Sequence, residues 1–158
     1  MNERIELSNN HGLVQLRIES LLEDESDWVS AMATVVCELK INFPHYNWIG
    51  FYRVTAPKLL KIGPYQGSHG CLTIPFSKGI CGAAATQKKT QLVPNVHKRE
   101  DHIACSSSTL SEIVVPVMDS NKNVLAVLDV DSDLENAFSS LDKDFLENLC
   151  KYLGKKFS

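Results

Sequence analysis

The apolar periodicity of this chain changes twice, and that change limits the folds open to it. In the first forty or so residues the period is helical. Val14, Ile18, Leu21 and Leu22 fall on one face, and Trp28, Met32, Val35, Val36 and Leu39 on another. The acidic stretch 24–27 separates the two and offers a cap, and Pro44 stops the second helix. From residue 47 to about 130 the signal is that of strands. Residues 47–54 (NWIGFYRV) are rich in aromatic and β-branched side chains, with a turn at 55–58 and a returning strand at 59–62. Gly63-Pro64 and Gly67 predict the next turn, and residues 71–74 a short strand. A short Gly/Ala-rich helix over 79–87 and a brief strand over 91–93 follow. Two core strands, 112–117 and 124–130, then flank a turn at 119–123. The helical period returns over 141–157, with Phe145, Leu149, Tyr152 and Leu153 on the buried face. Helices at both ends with strands between them predict an α+β domain, a mostly antiparallel sheet covered by helices, over 1–158.

Charge and composition exclude several classes. A net charge of −3 with no basic block gives no electrostatic footprint for nucleic acid. No apolar run approaches the ~20 residues of a membrane span, and residues 1–6 lack the basic and apolar regions of a secretory signal. A cytoplasmic protein is the expectation. The five cysteines, Cys37, Cys71, Cys81, Cys105 and Cys150, are an odd set with no C-x-x-C pair, which argues against a disulfide scaffold or a zinc ribbon.

Residue chemistry narrows the search. Cys105 lies late in the long aperiodic segment 95–111, and a loop of that length inside a compact domain is usually functional or mobile. Cys71 follows a glycine-containing turn and Cys81 stands between Gly79 and Gly82. Each reads either as a small buried residue or as a redox group. Cys37 and Cys150 fall within amphipathic helices and are expected to be structural. Asp129 and Asp131, two apart on one strand, point the same way, and Glu112 opens the neighbouring strand. Three carboxylates beside an apolar core repel one another, which raises at least one pKa. Such a group can bind an ammonium and still donate a proton; the alternative is a solvated Asp-rich turn. Trp48 and Tyr52, four apart on a strand, share a side, as core packing or as an aromatic wall for a methyl group. His97, His102 and Cys105 fit no zinc spacing well, so no metal is expected.

Several stretches together resemble the free methionine-(R)-sulfoxide reductases of the GAF-domain family. They are 47–52 (NWIGFY), 63–67 (GPYQG), 78–82 (KGICG), 102–105 (HIAC), 111–116 (SEIVVP) and 128–132 (LDVDS). The likeness runs from about Asn47 to the C-terminus. It implies a GAF fold and reduction of the free amino acid's R-sulfoxide without metal or organic cofactor. It also implies Cys105 as nucleophile, Cys71 as resolving cysteine and Cys81 as an auxiliary or alternative partner. Glu112, Asp129 and Asp131 would line the pocket, Trp48 and Tyr52 would face the methyl end, and N–H groups near Ile103 and Ala104 would hold the substrate carboxylate. A thioredoxin-type dithiol would restore the thiols, and a homodimer is common in the family. The chain departs from the family pattern at Gly70 (usually alanine), Asn95 and Ser106 (usually aspartates) and Ala126 (usually glycine). None of these carries an assigned role. The competing readings are a ligand-sensing GAF module, a thiol peroxidase and a zinc protein. A plain sensor needs neither the three loop cysteines nor the three carboxylates.

Overall fold

The computed structural model describes residues 2–100 and 107–158, with side chains from residue 5 onward. Two helices, α1 (Asn2–Leu21) and α2 (Trp28–Asn42), open the chain. Asp27 caps α2 by accepting from the Ser30 N–H, so the acidic break does the work its composition suggests. Strands β1 (Trp48–Ala56), β2 (Leu59–Gln66) and β3 (Thr73–Pro75) follow, then α3 (Gly79–Gln87) and β4 (Gln91–Val93). A 3₁₀ turn at Val96–Lys98 precedes β5 (Ser111–Met118), β6 (Val124–Ser132) and α4 (Ser140–Lys156). The helix α4 starts on a capping box, Ser139 with Asp142. The strands form one antiparallel sheet in the order β3-β2-β1-β6-β5-β4.

Each face of this sheet is buried under a different cover. Ile49 and Phe51 of β1, Ile113, Val115 and Val117 of β5, and Leu128 and Val130 of β6 pack against α1, α2 and α4. The alternate residues, Trp48, Tyr52, Val114 and Val127, pack with Leu60, Ile74 and Val93 beneath α3, which contributes Ile80, Cys81, Ala84 and Ala85. The period of two therefore sorts one core from the other. Among the described residues no helix is long and apolar enough to cross a membrane.

The expected elements form, with three differences. Gly63-Pro64 does not end the second strand. Gly50 pairs with Tyr65 and Tyr52 with Ile62, so Gly63 and Pro64 together face Phe51 across a bulge. A bulge tolerates a proline because it interrupts the ladder that proline cannot donate to; the chain turns only at Gly67, φ +131°. Residue Cys71 lies just ahead of β3 rather than in it. Cys37, expected to be structural, is exposed on the outer side of α2, because Val36 and Leu39 take up the inward stripe.

Candidate active site

Strand register gathers the acidic residues. Glu112 stands opposite Asp131, and Asp131 opposite Trp48; Asp129 lies between Val114 and Gly50. Directly opposed residues of an antiparallel pair share a face. All of these side chains therefore lie on the α3 side of the sheet. Glu112 and Asp129 are each 6% exposed, and Asp131 is partly exposed. The thiol of Cys81, in the first turn of α3, completes the group. One ligand atom each from Cys81, Glu112 and Asp129 lie within 4.8 Å of one another. Gly82 makes that docking possible: a Cβ there would lie 2.7 Å from the Phe76 carbonyl oxygen and 2.8 Å from that of Pro75.

Electrostatics follow from this crowding. Burial raises Glu112 well above the carboxylate range, and the nearby Asp129 and Asp131 charges raise it further, with Arg99 opposing. Burial likewise raises Asp131 well above its ordinary value, with the Asp129 charge adding to it and a Thr109 hydrogen bond opposing. Asp129 is pushed by burial up to about 7, held there by hydrogen bonding with Cys81 and Glu112. Asp129 is therefore the readiest of the three to ionise, and burial beside the other two acids favours the protonated form of Glu112. The Cys81 thiol is pushed up by burial and by these carboxylates. It is a hydrogen-bond donor here, poorly suited to act as a thiolate. Asp129 Oδ1 is buried with no hydrogen-bond partner among the described residues. A buried acceptor left unpaired costs about 1–3 kcal/mol, which a bound cation or ammonium would offset.

An aromatic wall adjoins the acids. The Trp48 ring folds over Gly50, where a Cβ would lie 2.5 Å from Cη2 of that ring and 2.6 Å from Tyr65 Cβ. The ring stacks with Tyr52 at 5.9 Å and with Tyr65 at 5.5 Å, and its Nε1 donates to the Ser68 carbonyl at 2.8 Å. Trp48 and Tyr52 thus pack within the α3-side core, as one of the two readings expects. At Gly70 a Cβ would approach Trp48 Cζ2 to 2.9 Å and the Tyr52 hydroxyl to 3.0 Å. The missing Cβ at Gly70 therefore lets the segment before Cys71 close against the aromatic pair.

The remaining sequence-derived candidates fall as follows. Cys71 is partly buried, packs at the edge of the α3-side core and is disulfide-bonded, whereas Cys37, Cys81 and Cys150 are free. Cys105, Ile103, Ala104 and His102 lie outside the described residues. Exposed His97 lies in the 3₁₀ turn. Three contributors escape sequence reasoning: Tyr65, Thr109 and Arg99. Tyr65 sits in a recognisable motif, but only the bulge after Gly50 turns it onto Trp48. Thr109 and Arg99 lie in an aperiodic segment with no local signal to mark them.

Comparison with known proteins agrees with this geometry. The GAF domain family matches residues 23–155. "GAF domain-containing protein A" of Dictyostelium discoideum is 42% identical over 87% of this chain and 85% of its own length. The free methionine-R-sulfoxide reductase of Saccharomyces cerevisiae is 40% identical over 89% of this chain and 81% of its own. Among solved structures, the free methionine-R-sulfoxide reductase of Neisseria meningitidis in complex with its substrate superposes with a TM-score of 0.88. It is 41% identical and covers 93% of this chain and 87% of that one.

Proposed function

Because the chain belongs to the GAF-domain family and, within it, to the free methionine-(R)-sulfoxide reductases, we propose that it reduces free L-methionine-(R)-sulfoxide to methionine at the acidic cluster of Glu112, Asp129 and Asp131. The observation that carries this reading is the pairing of a buried proton donor, Glu112, with an orphaned carboxylate oxygen, Asp129 Oδ1. Reduction of a sulfoxide needs a proton delivered to its oxygen, and a free amino acid brings an ammonium that needs a carboxylate. Peptide-bound methionine has lost that ammonium and cannot satisfy Asp129. The Trp48–Tyr52 pair offers an apolar surface for the methylthio end.

Cys105 is the proposed nucleophile. Its thiolate attacks the sulfoxide sulfur while a carboxylic acid of the cluster, Glu112 by protonation state, protonates the oxygen. The protonated oxygen leaves as water, which joins Cys105 and substrate as an S–S sulfonium; water then attacks the Cys105 sulfur, releasing a proton, and the S–S bond breaks, so that methionine leaves and Cys105 becomes a sulfenic acid. Cys71 then attacks that sulfur, releasing water and forming a disulfide, which protects against over-oxidation. A thioredoxin-type dithiol reduces the bridge by exchange. The disulfide-bonded state of Cys71 and the free thiol of Cys81 support Cys71 as the resolving residue. The raised pKa of Cys81 supports a different task for it, hydrogen bonding to Asp129. Ile103 and Ala104 N–H groups are assigned to the substrate carboxylate. The reaction needs no cofactor, suits the reducing cytoplasm, and is proposed to occur in a homodimer.

The test is turnover of free methionine-(R)-sulfoxide, the S epimer and a sulfoxide-containing peptide, each with a thioredoxin system, by wild type and Cys105→Ser. R-selective turnover of the free amino acid, abolished in Cys105→Ser, is expected. Turnover of the peptide at an equal rate would falsify the ammonium assignment, and an active Cys105→Ser would remove the nucleophile.

A further inference from the structure

A cavity lies at the far end of α3, away from the acids. It has a volume of about 520 Å³ and gathers five of the chain's twelve lysines: Lys88, Lys89, Lys122, Lys143 and Lys151. Its apolar floor is Val115, Pro116 and Met118. Among the described residues only two carboxylates, Asp119 and Glu147, line it. A chain with net charge −3 thus concentrates positive charge in one concave place.

Several features distinguish this group from scattered surface lysines. The lysines converge from three elements: the C-terminal end of α3, the β5–β6 turn and α4. Compensation of the α3 dipole accounts for Lys88 and Lys89 but not for the other three. The two turns are joined, because Lys88 Nζ donates to the Lys122 carbonyl at 2.8 Å. Lys88 and Lys122 both occupy left-handed backbone, φ 54° and 62°, where glycine or asparagine is the usual choice. Glu147 is already engaged, by Thr90 Oγ1 and by Lys143 at 3.8 Å. Among the described residues Lys89, Lys122 and Lys151 make no ion pair. The cavity lies where β4 stops: β4 pairs with β5 only from Glu112 to Val114, leaving the outer edge of β5 beyond that point without a strand neighbour among the described residues. Lysines along a bare edge deter strand pairing. That role requires neither a cavity nor an apolar floor.

We propose that this cavity is a binding site for a small phosphorylated organic anion, of the nucleoside triphosphate class. The phosphates would meet Lys89, Lys122 and Lys151, and the ring portion would rest on Pro116 and Met118. Ammonium groups act as mobile point charges for phosphate oxygens, and the volume falls within the range of small-ligand pockets. The site is independent of the sulfoxide chemistry and stands or falls without it.

Equilibrium binding of ATP and of inorganic tripolyphosphate to the whole chain, by calorimetry at low and moderate salt, tests this. Saturable one-to-one binding is expected, tighter for ATP than for tripolyphosphate. In Lys89→Gln/Lys122→Gln/Lys151→Gln it should weaken at least tenfold. The control Lys61→Gln/Lys155→Gln, which removes charge elsewhere, should bind as wild type; circular dichroism and thermal melting confirm that both variants fold. Absence of saturable binding overturns the proposal. So do equal weakening in both variants and tripolyphosphate binding as tightly as ATP.

Discussion

Asp142 and Asp129 are both buried aspartates, placed on opposite faces of one sheet, and their surroundings drive them in opposite directions. Asp142, on the side of α1, α2 and α4, is fully engaged. It accepts from Tyr46 at 2.9 Å and from the Ser139 N–H at 2.8 Å, and its Oδ1 lies 3.2 Å from His11 Nε2. Burial raises its pKa, but the hydrogen bonds of His11, Ser139 and Tyr46 outweigh that and hold it well below the carboxylate range. Asp129, beneath α3, is also buried, with two acidic neighbours and an oxygen that has no partner among the described residues, and burial lifts it to about 7. Burial alone therefore does not set a carboxylate's role. The number of donors aimed at it decides whether it anchors the fold or waits for a ligand.

The largest effect expected from breaking this comparison is on stability. Asp142→Ala leaves His11, Tyr46 and the α4 cap without their acceptor, and should cost about 3–5 kcal/mol in urea unfolding. A loss below about 1 kcal/mol would mean the network is solvated in solution. Asp129→Asn should do the reverse, with stability at pH 8 unchanged or raised by about 1–3 kcal/mol. Its turnover of free methionine-(R)-sulfoxide should drop by roughly 100-fold or more. Full activity in that variant would remove Asp129 from the ammonium site.

The pH dependence separates the two residues further. Asp142 has a depressed pKa in the fold, so its stabilisation is complete above the ordinary carboxylate range and fades as pH falls through its lower folded value. Asp129 has a raised one. Between about pH 4 and about pH 7 the folded state holds a proton that the unfolded chain has released, so stability falls as pH rises. Wild type should lose up to a few kcal/mol across that window, and Asp129→Asn should lose less. Parallel pH profiles for the two proteins would contradict the raised value.

Smaller changes sharpen the contrast between the two faces. Gly50→Ala must displace the Trp48 ring or Tyr65. A stability cost of about 1–3 kcal/mol is expected, with a KM raised more than kcat is lowered; an unaltered KM would mean Trp48 does not border the substrate. Cys150→Ala, on the buried face of α4, should cost about 1 kcal/mol and leave turnover unchanged. An altered reaction rate would show that this thiol takes part in redox exchange.

Local pattern determined a great deal of this protein. The switch between helical and strand periods marks nearly every element, and the two-residue spacing of Asp129 and Asp131 puts them on one face without reference to any other strand. The period of two, read along β1, β5 and β6, already separates the residues of the two cores. These signals are legible because they depend only on backbone geometry within a few residues. Tertiary structure alone decided that Glu112 faces Asp131, that α3 brings Cys81 to Asp129, that Pro64 sits in a bulge, that Cys37 points outward, and that five lysines from three elements share a cavity. Those outcomes depend on register and helix docking. Both are set by packing between segments far apart in sequence, and no local spacing encodes which donors will reach a buried oxygen.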